Sequence, residues 1–188
     1  MILTLNTEIF EEFLGDYSVL LTGSFIAKKK KLNQKTTANY LYILEKEGII
    51  KSKTHGKNKD YFLNLDNKEV VKNYILAIEH IRTLVFYKKN LVVKEISEKI
   101  NEHINGSAII FGSYAKGIQK KNSDLDILII GKCNEKEIEK IGKTYNIELN
   151  LKIYPKLEKD LLIKEAVKNH IFIKNPEPII GELLNGNY

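Results

Sequence analysis

Residues 112–130 read GSYAKGIQKKNSDLDILII, and their order decides what the second half of the chain can be. A Gly-Ser pair closes the apolar run Ile109-Ile110-Phe111, and ten residues later Asp124 and Asp126 open a second apolar run that continues to Ile130. A strand over that run sets alternate side chains on one face, so both carboxylates share it a few ångströms apart. Two like charges that close are costly unless a cation lies between them, and oxygen-only ligands favour Mg²⁺ or Mn²⁺. Gly112, in a turn leaving a strand, lets backbone amides approach a phosphate. A phosphate cradle beside a carboxylate pair is the equipment of nucleotidyl transfer.

Outward from this stretch the apolar spacing alternates between helical and extended periods. A helix over Val93 to Ile104 is expected to lead into a strand, Ser107 to Phe111. Beyond Ile130, Cys133 falls in a loop, GKCNEKE, as an unreactive thiol, and Glu135 to Lys143 reads as a helix. Asn146 to Ile153 then alternates: Glu148, Asn150 and Lys152 fall on one face, with Leu149, Leu151 and Ile153 on the other. Lys156 to His170 reads as an amphipathic helix, and HIFIKNPEPII as a terminal strand and helix. His170 and His80 stand without metal-ligand spacing and read as packing or surface residues.

Helix, strand, GS turn, short helix, basic loop and DxD strand resemble the DNA polymerase beta superfamily of nucleotidyltransferases. Its minimal prokaryotic members carry Gly-Ser, ten residues and Asp-x-Asp, which Gly112-Ser113 and Asp124-x-Asp126 match. The resemblance spans about 90 residues, from the helix before Ser107 to near Ile173. It implies that Asp124 and Asp126 hold two metals about 3.5–4 Å apart, one for the triphosphate and one for the attacking oxygen. It implies also that Gly112, Ser113 and adjoining amides take the β- and γ-phosphates, with Lys116, Lys120 and Lys121 adding charge. Active members have a third carboxylate on a neighbouring strand. The usual aspartate is missing here. Glu148 supplies the charge with one extra methylene, whereas Asn150 in that position coordinates but accepts no proton.

The N-terminal third carries a different pattern. Ser24 is expected to cap a helix over Phe25 to Lys31, Gln34 to Glu47 forms a second, and Gly48 ends it. Ile49 to Lys53 and Tyr61 to Leu65 read as strands around the polar loop THGKNKD, too long for a tight hairpin. This resembles the winged helix-turn-helix domains of archaeal and bacterial regulators. Carried over, Lys35, Thr36, Thr37, Asn39 and Tyr40 would face the DNA major groove. Lys51, Lys53, His55, Lys57 and Lys59 would meet phosphates. Between residues 28 and 59 ten lysines oppose only Glu45 and Glu47, with no arginine, a composition that favours salt-sensitive phosphate contacts over base reading.

The expected whole is an α+β chain. A winged helix of three helices and a β-hairpin wing occupies 1–66, and a long amphipathic helix over 67–90 joins it to a small nucleotidyltransferase α/β domain with a mixed sheet over 91–188. That helix packs on the two halves or pairs with a second copy in a homodimer. One cysteine in 188 residues excludes an intrachain disulfide framework, no run reaches membrane-span length, and the N-terminus lacks signal-peptide features, so a cytoplasmic protein is expected. The expected reaction is Mg²⁺-dependent transfer of a nucleoside monophosphate from NTP to an acceptor. The alternative is a DNA-binding regulator, or an antitoxin to a HEPN-domain protein, with a degenerate, nucleotide-sensing fold.

Overall fold

The computed structural model describes residues 7–56 and 58–186. The chain divides into two compact units, Met1–Ile78 and Glu79–Tyr188.

In the first unit, β1 (Leu21–Thr22) precedes α1 (Gly23–Lys30) and α2 (Gln34–Lys46), followed by the hairpin β2 (Ile50–His55) and β3 (Asn58–Leu63). Their sheet is antiparallel in the order β1-β3-β2. Thr22, not Ser24, caps α1 by accepting from Phe25 N at 3.2 Å, because the helix begins two residues earlier than the apolar spacing predicts. Asn33 caps α2 by accepting from Lys35 N at 2.8 Å. Gly48, at φ +72°, follows α2 in the left-handed region that favours glycine. The long basic loop does not form. His55 pairs with Asn58, so β2 and β3 form a closed ribbon, and Gly56 at φ +61° supplies the turn conformation that side chains resist. Ile26, Leu41, Leu44 and Ile50 are buried together with Phe10, Phe13, Val71 and Ile75.

The division between the units falls inside the long helix α3 (Lys68–Lys89). Val71, Ile75 and Ile78 are core residues of the first unit, and Phe86 belongs to the core of the second.

The second unit builds a four-stranded mixed sheet, β6-β5-β4-β7. Its elements are α4 (Leu91–Ile100), β4 (Ile104–Ile110), the single-turn α5 (Gly112–Ala115), β5 (Leu125–Cys133), α6 (Glu135–Thr144), β6 (Leu149–Tyr154), α7 (Leu161–Lys168), β7 (Ile171–Lys174) and α8 (Pro176–Leu184). β4 is antiparallel to β5 and β7, and β5 is parallel to β6. Ala108, Ile109 and Ile110 are all fully buried, as a strand covered on both faces requires. β4 and β5 run three residues further than predicted, because Gly106 pairs with Gly131 instead of breaking the ladder. A Cβ on either glycine would collide with the backbone opposite. Cys133 therefore ends a strand rather than lying in a loop. Burial and the nearby Glu135 carboxylate push its thiol up, which disfavours the reactive thiolate.

His170 is a core residue. Its Nδ1 faces the Val167 carbonyl and its Nε2 lies 3.0 Å from Glu79 Oε1, while Arg82 Nη1 donates to Glu79 Oε2 at 2.7 Å. Arg82 Nη2 and Thr83 Oγ1 also donate to the carbonyls of His170 and Phe172, fastening the C-terminal part of α3 to β7. Burial alone would raise the Glu79 carboxyl, but His170 and Arg82 outweigh it and hold the group below its ordinary value. Its contribution to stability is complete above the unfolded value of 4.5 and is lost as pH falls from there through the lower folded value. Glu79→Ala leaves the buried His170 imidazole without its hydrogen-bond partner and the Arg82 guanidinium without its counter-charge. It is expected to cost about 3–5 kcal/mol at pH 7 and to flatten the acid limb of stability. Urea midpoints of wild type and variant at pH 7 and pH 4 measure both effects.

Candidate functional site

The site grows from the β4–β5 ladder. Ile110 pairs with Ile127, and Phe111 N donates to Asp126 O at 3.0 Å, carrying the ladder to the edge of the GS turn. Gly112 then turns at φ +69°. A Cβ there would stand inside contact distance of Asp126 Oδ2 and only 3.0 Å from its Cγ, so the backbone lies directly against the carboxylate. Gly112 begins the single turn of α5, and the carbonyl of Ser113 accepts from Ile118 N at 3.0 Å. The ten residues between GS and DxD form a fastened loop. Gln119 Nε2 donates to Asn90 Oδ1 at 3.2 Å, and the Lys120 amide and Ser123 hydroxyl close the turn before Asp124 at 2.8 Å.

Leu125, between the two aspartates, is fully buried, so the pleat points Asp124 and Asp126 the other way. Asp124 is exposed and Asp126 half-buried. In the parallel ladder, Asn150 is the partner of Asp126, and its Nδ2 donates to Asp126 Oδ1 at 2.7 Å. Glu148, one alternation earlier, precedes β6. Its carbonyl accepts from Leu125 N at 2.8 Å, while its exposed side chain lines a cleft of about 800 Å³ with Asp124, Lys121, Lys143 and Glu139. Among the described residues no three His, Cys, Asp or Glu side chains gather into a metal-binding group. Glu148 therefore does not complete a carboxylate triad with Asp124 and Asp126. Lys121 lines the cleft together with Asp124. Lys116 and Lys120 are exposed on the loop, and the field of Lys116 also reaches Glu165. Asn150 is the functional position that alternation alone left open beside Glu148. Only the register separates the two.

Residues 90–175 match a nucleotidyltransferase domain. That is the description of the family whose profile the segment fits, and it covers β4 to β7 with the whole GS-to-DxD site. A protein of Methanocaldococcus jannaschii that bears the name protein adenylyltransferase is 37% identical over 75 residues, 39% of this chain. The chain spans 59% of that relative's length. No solved structure gives a significant match.

The residues expected to meet nucleic acid belong to the first unit. Lys35 and Asn39 are exposed on α2, and Thr36 and Tyr40 are half-buried. Thr37 is wholly buried, its hydroxyl donating to the Asn33 carbonyl at 3.1 Å, so it faces the core rather than a groove. The helix turns about 100° per residue, and the core-facing stripe through Leu41 and Leu44 runs through position 37. Lys53 and His55 are exposed on the ribbon, whereas Lys51 pairs with Asp66 and Lys59 with Glu45. Lys57 lies outside the described residues. His80 is exposed. Among the described residues no helix is long and apolar enough to cross a membrane.

Gly112→Ala tests the closest approach in the site. The left-handed φ and the collision with Asp126 together should cost about 1–2 kcal/mol. The expected Tm is lower by roughly 5–10 °C. Mn²⁺ affinity should fall at least tenfold while the far-ultraviolet circular dichroism at 20 °C is unchanged.

Proposed function

We propose that the C-terminal unit transfers a nucleoside monophosphate from NTP to an acceptor, with a divalent cation held by Asp124 and Asp126. The observation that carries this is the contact between Gly112 and the Asp126 carboxylate. It brings the backbone of the Gly112 turn beside a half-buried acid, which supports phosphate binding there. The two carboxylates offer oxygen ligands alone, and with the phosphate oxygens of a bound nucleotide they would form a donor set that fits Mg²⁺ or Mn²⁺. Such an ion, when bound, neutralises the triphosphate and polarises the phosphorus under attack.

The chain's own groups would then divide the work. Gly112 and Ser113 amides hold the terminal phosphates, and Lys121, with Lys116 and Lys120 on the loop, offsets their charge. Glu148 stands on the cleft side, where an acceptor hydroxyl can approach Asp124, and takes the proton as the hydroxyl oxygen bonds to the α-phosphorus. The name of the Methanocaldococcus relative favours adenylyl as the group moved and a protein side chain as the acceptor. Incubation with labelled ATP, GTP, CTP or UTP, Mg²⁺ and candidate acceptors tests this. Transfer must disappear in Asp124→Ala and Asp126→Ala, and persistence of full transfer in either overturns it. Glu148→Gln is expected to lower kcat about 10²-fold with KM for NTP little changed.

For the first unit we infer a winged helix that binds DNA. The helix pair, the closed basic ribbon and the strand β1 that joins the hairpin edge support that architecture, and exposed Lys35 and Lys53 support phosphate contact. Lys51 and Lys59 must leave acidic partners before meeting DNA, so fewer contacts are expected than the lysine count implies. Lys35→Ala and Lys53→Ala should each reduce the slope of log K against log salt by about 1, read by fluorescence anisotropy on duplex DNA. The placement of Asn150 favours a second reading. In it the domain senses nucleotide, and the chain acts as a regulator or as the antitoxin partner of a HEPN-domain protein, alone or as a homodimer.

A further inference from the structure

We infer that the nucleotide site of this chain holds a single divalent cation, and that Asn150 is the residue that sets this number and slows transfer. The inference rests on the reading of Asp124 and Asp126 as cation ligands.

The β5–β6 ladder leaves little freedom. Asn150 and Asp126 are register partners on parallel strands, so their side chains leave the same face of the sheet side by side. The Asn150 amide donates to Asp126 Oδ1 at 2.7 Å. The reversed amide would set two oxygens at that separation, so electrostatics alone fixes its orientation. Oδ2 of the same carboxylate lies against Gly112. One oxygen of Asp126 is therefore partly occupied by a neutral donor and the other by the phosphate-binding turn.

Two divalent ions at the separation used in two-metal catalysis repel strongly and need dense negative charge between them. Asp124 and Asp126 supply two charges, and the position beside Asp126 supplies none. Among the described residues no third acid gathers with them into a metal-binding group, although Glu148 lines the same cleft as Asp124. The one ion that remains serves the triphosphate. The acceptor hydroxyl has no cation of its own to acidify it and depends on Glu148. Its oxygen bonds to the α-phosphorus, the bridging oxygen leaves with its electron pair as pyrophosphate, and the proton passes to the Glu148 carboxylate and on to solvent. With a carboxylate base and no cation at the nucleophile, this step is slow. Asn150 is thus a positioning residue that acts through Asp126.

Mn²⁺ titrations followed by electron paramagnetic resonance count bound ions directly, with α,β-methylene-ATP present and the nucleotide alone as blank. Wild type and Asn150→Ala should each hold one Mn²⁺ per chain. Asn150→Asp should hold two and transfer nucleotide at least tenfold faster. Two ions in wild type, or one in a folded Asn150→Asp, overturns the inference and leaves the transfer reading intact. A wild type that binds neither Mn²⁺ nor the analogue, indistinguishable from Asp126→Ala, overturns the transfer reading itself. Should Asn150→Asp fail to fold, the wild-type count remains decisive.

Discussion

The approach of Gly112 to the Asp126 carboxylate is the constraint on which the site geometry depends. It requires a residue without Cβ, a left-handed turn immediately after β4, and a strand pairing that puts position 111 opposite position 126. Given those three conditions, the single turn of α5 must begin over the acid, and the loop must return within ten residues to deliver Asp124. The Gln119–Asn90 bond and the Lys120–Ser123 turn are how the loop achieves that return. A shift of one residue in the β4–β5 register would move Asp126 to the buried face, where Leu125 and Ile127 now sit, and no site would remain.

Much of this was legible in the sequence because apolar runs and small residues leave strong local signals. The GS turn, the DxD strand, the helices around it and the alternation of residues 148–152 follow from periodicity alone. The misreadings share a cause. The segment GKCNEKE and the polar run 54–60 both read as loops, yet backbone pairing carries strands into each of them. Gly106 and Gly131 are glycines because two backbones pass too closely for a Cβ, a fact belonging to two distant segments at once. Thr37 reads as a polar groove residue by type, and only the direction of the α2 core stripe shows that its methyl side is needed inside.

The choice between Glu148 and Asn150 shows where local pattern runs out. Both lie on the same face by alternation, and nothing within residues 146–153 says which stands beside Asp126. The packing of α6 contributes to the answer. Gly142 is buried, and a Cβ there would meet the Leu149 side chain and the Ile147 carbonyl, so the helix is seated on the very start of β6. That seat and the Leu125–Glu148 backbone bond put the pleat at Asn150 level with Asp126.

An amide at that level changes the energetics of the sheet as well as its chemistry. A carboxylate in place of Asn150 would stand hydrogen-bond distance from Asp126, and the pair would need a shared proton or a cation to be tolerated. With asparagine the same two positions attract, the donor is satisfied, and the strand pair is stable with no ion present. In the proposed cation site Asp126 would meet an arriving ion already hydrogen-bonded, and the gain from neutralising a strained acid pair would be absent. Stability of the β5–β6 edge and avidity for metal thus pull in opposite directions at this one position. The amide places this chain on the side of stability.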